Sequence, residues 1–149
     1  MDVVESVRSV LRNKGQTIWS VTPDASVYEA IEIMASKSVG ALLVIGEGKL
    51  VGVISERDYA RKVILQGKSS KQTRVREIMA SPVIVAAPES TVEDCLKIMT
   101  HHRIRHLPIV DHDQVAGIVS IGDLVKWIVS AQEETIHRLQ DYITGKYPG

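Results

Sequence analysis

One pattern runs through this chain twice, and nothing else in it constrains the fold as much. Shifted back by 65 positions, the distance from Pro23 to Pro88, residues 83–129 fall on residues 18–64 without a gap. Pro23 meets Pro88, Val27 meets Val92, and Ile33-Met34 meets Ile98-Met99. Leu42 meets Leu107, Gly52 meets Gly117, Ser55 meets Ser120, and Asp58 meets Asp123. Most other core positions exchange one apolar residue for another. A unit of under about 50 residues buries too little surface to fold well alone, so each copy needs the other. The expectation is two sheets packed face to face about a pseudo-twofold axis, with two related clefts at the junction.

Each copy reads as β-α-β-β-α. Residues 18–21 form a short strand, stopped by Thr22-Pro23-Asp24. Ser26 is placed to cap a helix whose buried stripe is Val27, Ala30, Ile31 and Met34. Strands 39–45 and 50–54 flank Gly46-Glu47-Gly48 and should form an antiparallel hairpin. Ser55-Glu56-Arg57-Asp58 then opens a second helix. The second copy predicts a strand at 83–85, a helix at 91–101, strands at 106–110 and 115–119, and a helix at 121–130. A lead-in precedes each copy, Val7-Arg8-Ser9-Val10-Leu11 and Val75-Arg76-Glu77-Ile78-Met79. The first belongs to a predicted helix over 2–12, ended by Asn13-Lys14-Gly15. Residues 66–73 are a polar linker. A last helix, 132–143, has no counterpart in the first copy; Ile136, Leu139 and Ile143 line one face. It either covers the end of the domain or supplies an oligomer contact, and 145–149 reads as a frayed tail. The resulting divisions are 1–17, 18–64, 65–82, 83–129 and 130–149.

Composition narrows the function classes. The 149 residues carry 18 basic and 18 acidic side chains, so the net charge lacks the footprint of a non-specific nucleic-acid binder. A single cysteine, Cys95, allows no internal disulfide and fits a reducing compartment. No apolar run reaches the roughly 18–20 residues that cross a bilayer, and the acidic start lacks a signal peptide's pattern. A cytoplasmic protein is expected.

Two polar pairs stand out, Ser55-x-x-Asp58 and Ser120-x-x-Asp123. One reading is structural: a serine at the N-cap with an acid three residues on is a capping box. The other is a site. A carboxylate can accept two hydrogen bonds from the vicinal diol of a ribose, and helix amides can hold a phosphate. Gly52 and Gly117 lie inside the preceding strands, where a glycine lets another backbone or a flat ligand approach closely.

The cluster His101-His102-Arg103-Ile104-Arg105-His106 concentrates positive charge. His101 and His102 suit a solvated helix end. Arg105 and His106 lead into the strand 107–110 and suit a phosphate better; Gly40 and Ala41 stand at the matching positions. The two clefts should therefore bind unequally. No C-x-x-C or H-E-x-x-H spacing points to a metal, and Cys95 falls on an apolar stripe where Ala30 stands in the first copy. No catalytic constellation is visible.

The paired units, each ending in Gly-h-h-Ser-x-x-Asp with h apolar, resemble a tandem cystathionine-β-synthase (CBS) domain pair, the Bateman module. The resemblance covers about residues 3–130. Ser-Glu-Arg-Asp-Tyr-Ala-Arg-Lys at 55–62, with Gln66-Gly67-Lys68-Ser69-Ser70-Lys71, looks like a stand-alone subgroup of bacteria and plant organelles. It implies a mixed α/β (α+β) fold of two CBS repeats packed with pseudo-twofold symmetry, plus terminal helices. It also implies an adenine nucleotide ligand (AMP, ADP, ATP or NAD) between the repeats, and no catalytic cofactor. Asp58 and Asp123 would hold ribose hydroxyls, with Ser55 and Ser120 at ribose or phosphate. Val53 and Ile118 would lie against adenine, and Pro108 would also line the nucleotide site. Thr22 would serve the cleft of Asp123; Arg105 and His106 would reach phosphates near Asp58, with Arg57 adding a contact. Ala87 replaces the threonine in the second copy. The resemblance further implies a homodimer and a regulated protein addressed in trans. Two other classes remain: a structural dimerisation module in which Ser-x-x-Asp only caps helices, and an enzyme, for which only histidines are on offer.

Overall fold

The computed structural model describes residues 5–15 and 17–143, with side chains up to Asp141. In chain order the elements are α1 (Val7–Lys14), β1 (Ser20–Val21), α2 (Val27–Lys37), β2 (Ala41–Gly46), β3 (Lys49–Ser55) and α3 (Glu56–Tyr59). Then come α4 (Val75–Ile78), α5 (Val92–His102), β4 (His106–Asp111), β5 (Gln114–Ser120) and α6 (Ile121–Ile143). The fold is mixed α/β, with one sheet per repeat.

The chain divides into two units. One is residues 17–85. The other joins the described residues before 16 to those from 86 onward. The lead-ins are therefore exchanged relative to sequence order: α4 completes the first repeat and α1 completes the second. The hydrogen bonds match pair for pair. Val75 and Arg76 donate their N–H groups to the carbonyls of Ala25 (2.9 Å) and Pro23 (2.9 Å). Val7 and Arg8 donate theirs to Ser90 (2.7 Å) and Pro88 (3.1 Å).

In the unit 17–85 the sheet order is β1-β2-β3. β1 runs parallel to β2, and β2 and β3 form the expected antiparallel hairpin. Its turn is Glu47-Gly48, both residues at positive φ (53° and 75°), the geometry that matches the strand twist. Val21, Val27, Ala30, Met34, Leu42, Val44, Ile54, Val63, Val75 and Ile78 form one buried cluster. In the other unit the corresponding residues Ala86, Val92, Cys95, Met99, Leu107, Ile109, Val119, Val7 and Val10 are buried too. Ser26 caps α2 as expected, its Oγ accepting the Glu29 N–H at 3.1 Å.

Four expectations need correction. Residues 83–85 form no strand; only Ala86 pairs, in a parallel bridge to Ile109. The reason is Pro108. At the matching place in the first repeat, Leu43 donates its N–H to the Trp19 carbonyl at 3.2 Å. Pro108 has no N–H to donate, so the ladder begins one rung later, with Ala86 N–H on the Pro108 carbonyl at 3.0 Å. Secondly, the two predicted helices at 121–130 and 132–143 are one, α6. Ser130-Ala131-Gln132 contains no glycine or proline to stop it. Thirdly, the first helix begins at Val7, because the Glu5 carbonyl is committed to the Val92 N–H (2.9 Å) and Ser6 pairs with Thr91. Its predicted first residues, 2–4, lie outside the described residues, as does the tail 145–149. Fourthly, α3 lasts one turn and then widens over Ala60–Ile64, where the Leu65 N–H reaches back five residues to the Ala60 carbonyl (3.1 Å).

Candidate functional site

Each Ser-x-x-Asp sits where the last strand of a hairpin turns into a helix. Ser55 ends β3 and caps α3. Its Oγ accepts the Asp58 N–H at 3.1 Å, while Asp58 Oδ2 accepts the Ser55 N–H and hydroxyl, each at 3.0 Å. In the second repeat Ser120 Oγ accepts the Asp123 N–H at 3.0 Å, and Asp123 Oδ2 accepts the Ser120 N–H at 2.8 Å. The capping reading therefore holds geometrically at both positions. It does not exhaust the carboxylates, since an ionised carboxylate has about four lone-pair sites. Both aspartates are half-buried.

Strand register gathers further residues around each pair. Ala41 pairs with Ser55, and the Gly40 carbonyl accepts the Glu56 N–H at 3.0 Å. Gly40, Ala41, Ser55 and Asp58 thus share one end of the first sheet. Val53 lies two residues back along β3, and Arg57 is exposed on α3. Thr22, exposed after β1, is at the sheet's opposite end, because β1 runs parallel to β2. In the other unit His106 pairs with Ser120, and the Arg105 carbonyl accepts the Ile121 N–H at 2.9 Å. Arg105 and His106 therefore stand beside Asp123 within their own unit. Pro108 pairs with Ile118 on the next rungs.

Two lysines join these carboxylates, neither of them among the site residues expected from sequence. Lys62 Nζ lies 3.2 Å from Asp58 Oδ1 and donates to the Ile78 carbonyl at 2.9 Å. Its spacing of four residues from Asp58 on one helix was a usable signal. Trp127 occupies the matching position in the second repeat, so Asp123 has no such neighbour. Its cation arrives from α1: Lys14 Nζ donates to Asp123 Oδ2 at 2.6 Å and to the Ile118 carbonyl at 2.9 Å. No local pattern announces a contact across that much chain. Burial pushes the Asp123 carboxyl up, but hydrogen bonds from Lys14 and the Ser120 N–H, with the lysine's charge, outweigh it and hold it below its usual range.

The strand glycines also have an occupant. A Cβ on Gly52 would lie 2.5 Å from Met79 Sδ and 3.1 Å from the Ala80 carbonyl oxygen. A Cβ on Gly117 would lie 2.7 Å from Leu11 Cδ2. The close approach these glycines permit is that of the chain's own lead-ins.

Comparison with known proteins agrees with this architecture. The CBS domain model matches residues 7–64 and again 75–130. The CBS domain-containing protein CBSX3, mitochondrial, of Arabidopsis thaliana is 40% identical over 95% of this chain and 73% of its own length. A CBS-domain protein from Burkholderia ambifaria MC40-6 has a structure similar at a TM-score of 0.82 and 46% identity, covering 85% of this chain and 96% of that one. The CBS domain pair of protein MJ0100, solved in complex with 5′-methylthioadenosine and S-adenosyl-L-methionine, is similar at a TM-score of 0.76 and 28% identity, over 86% of this chain and 98% of that one. With two matched copies, duplicated capping boxes and one hairpin per copy, this chain belongs to the CBS-domain family as a tandem pair.

Proposed function

We propose that this protein is a sensory module that binds an adenosine-containing nucleotide, AMP, ADP, ATP or NAD, and passes the bound state to a partner protein in trans. The observation carrying this reading is the pair of half-buried carboxylates at equivalent strand-to-helix junctions, each oriented by its serine and each with lone pairs to spare. A ribose diol is a fitting donor pair for such an oxygen-rich, fixed acceptor. The adenosine compounds bound by the related MJ0100 pair support the same ligand class. In this reading Asp58 and Asp123 hold the ribose, and Ser55 and Ser120 orient them. Val53, Ile118 and Pro108 flank the base. Arg105, His106 and Arg57 meet phosphate, with Gly40 and Ala41 leaving room and Thr22 contributing from the far sheet end. Signalling requires the ligand to favour one of two states, typically by about 1–3 kcal/mol.

Isothermal titration of AMP, ATP and NAD into wild type, Asp58→Asn and Asp123→Asn tests the ligand. Binding weakened by both substitutions is expected. Heat-silent titrations with all three nucleotides, and no thermal shift, would sink the proposal.

A second reading draws on α6, where Val125, Val129, Ile136 and Leu139 are exposed apolar side chains. Here the chain is a homodimeric interaction module whose serine–aspartate pairs serve as helix caps alone. A nucleotide-independent dimer by light scattering, with no ligand in the titrations, is its expected signature.

A further inference from the structure

The two carboxylates differ in what stands on them. Asp58 is paired by Lys62 from its own helix, at 3.2 Å and in a position 47% exposed. Asp123 is paired by Lys14 from a segment remote in sequence, at 2.6 Å, on the same Oδ2 that accepts the Ser120 N–H. Lys14 also has a structural duty. In the first repeat the Val53 carbonyl accepts a main-chain N–H, that of Ala80, at 2.8 Å. Ile118 is the matching residue, but the longer α1 offers no such N–H there, and Lys14 Nζ supplies the bond at 2.9 Å. One ammonium thus fills an orphan acceptor and one oxygen of the candidate ribose carboxylate.

We infer that Lys14 is a tethered competitor at Asp123, holding that site closed to a diol until the ammonium is displaced. The inference rests on Asp123 being a ribose site. A diol that engages both carboxylate oxygens must take Oδ2 from Lys14. Displacement breaks the ion pair and also leaves the Ile118 carbonyl without its donor, which costs free energy at a half-buried position. At Asp58 the matching pairing is longer: Lys62 Nζ stands 3.2 Å from Oδ1, not on the oxygen that caps the helix, while donating to the Ile78 carbonyl at 2.9 Å. Both carboxylates carry a lysine, but the shorter contact, on the capping oxygen itself, is the one at Asp123.

The probe is adenosine, which carries the diol and no phosphate, so that attraction of Lys14 for phosphate does not obscure the result. Asp58→Asn isolates the Asp123 site. Adenosine should bind the Asp58→Asn/Lys14→Met protein at least tenfold more tightly than Asp58→Asn alone. Lys14→Gln, which keeps a neutral donor for the Ile118 carbonyl, should show the same direction if Lys14→Met folds poorly. The gain should vanish with 2′,3′-dideoxyadenosine. In wild type, adenosine should speed reductive methylation of Lys14 by freeing its ammonium. Equal or weaker adenosine binding without Lys14, beside normal binding at Asp58, overturns the inference and leaves the nucleotide reading intact. Adenosine binding to none of these proteins overturns both.

Discussion

Asp123 is charged because of what surrounds it. Burial raises its carboxyl pKa, while hydrogen bonds from Lys14 and Ser120 and the lysine charge lower it further than burial raises it. The folded value lies below the unfolded one, about 3.9. The ionised form therefore stabilises the fold above that pH, and the contribution fades as pH falls through the folded value. In urea titrations, the stability difference between wild type and Asp123→Asn should be constant from pH 5 to 8 and shrink below about pH 4. A difference that grew on acidification would contradict the sign. Cys95 runs the other way. Burial, then the charge of Asp94, raise its thiol pKa to about 11, and its side chain has no exposed surface. Iodoacetamide at pH 8 should leave it unmodified in the folded protein and alkylate it in urea. Its place on the core stripe was legible from sequence because Ala30 holds the same position in the other copy. Lys14 was illegible, since a contact spanning most of the chain leaves no periodicity to read.

At the level of elements, duplication made the hairpins and α2 and α5 readable, and its imperfections caused the errors. Comparing copies predicts a strand at 83–85 by analogy with β1, yet a single proline on the neighbouring strand removes the donor that would hold it. The expected break within α6 at residue 131 is absent because the polar stretch there contains no helix breaker, while its end at Ile143 is as expected. The strand glycines carry a graded prediction. Gly52→Ala forces a methyl against Met79 Sδ and the Ala80 backbone oxygen, which has little freedom to yield. A loss of about 1–3 kcal/mol is expected in urea denaturation. Gly117→Ala meets only the end of Leu11, which can rotate, so its loss should be smaller. Met79→Ala should recover part of the Gly52→Ala defect; failure to do so would place the strain elsewhere. The serine–aspartate pairs were legible as caps and as candidate sites alike, since both roles call for the same two residues.

Over the whole molecule, the exchanged lead-ins govern how the chain responds to being cut. The stretch 66–72 is exposed apart from Ser70 and carries Lys68 and Lys71. Trypsin should nick it under native conditions. The two pieces should nevertheless elute as one species and separate only in denaturant. Each piece keeps a lead-in that completes the unit of the other: α4 on Ala25 and Pro23, α1 on Ser90 and Pro88. Independent elution of the pieces would show that the lead-ins contribute little. The repeat itself was plain from sequence. Its crossed assembly was not, because a lead-in adjacent in the chain to one copy and hydrogen-bonded to the other looks the same on paper as one that stays with its neighbour.

That crossing also sets an order of events during synthesis. The segment 17–85 contains everything its unit needs by the time α4 has left the ribosome. The segment holding α1 emerges before all of this, yet its acceptors on Pro88 and Ser90 and its partners on β5 and α6 are made much later. That helix must therefore wait, unpaired, until the second repeat has been made. A segment made before the first repeat finds its place only after it.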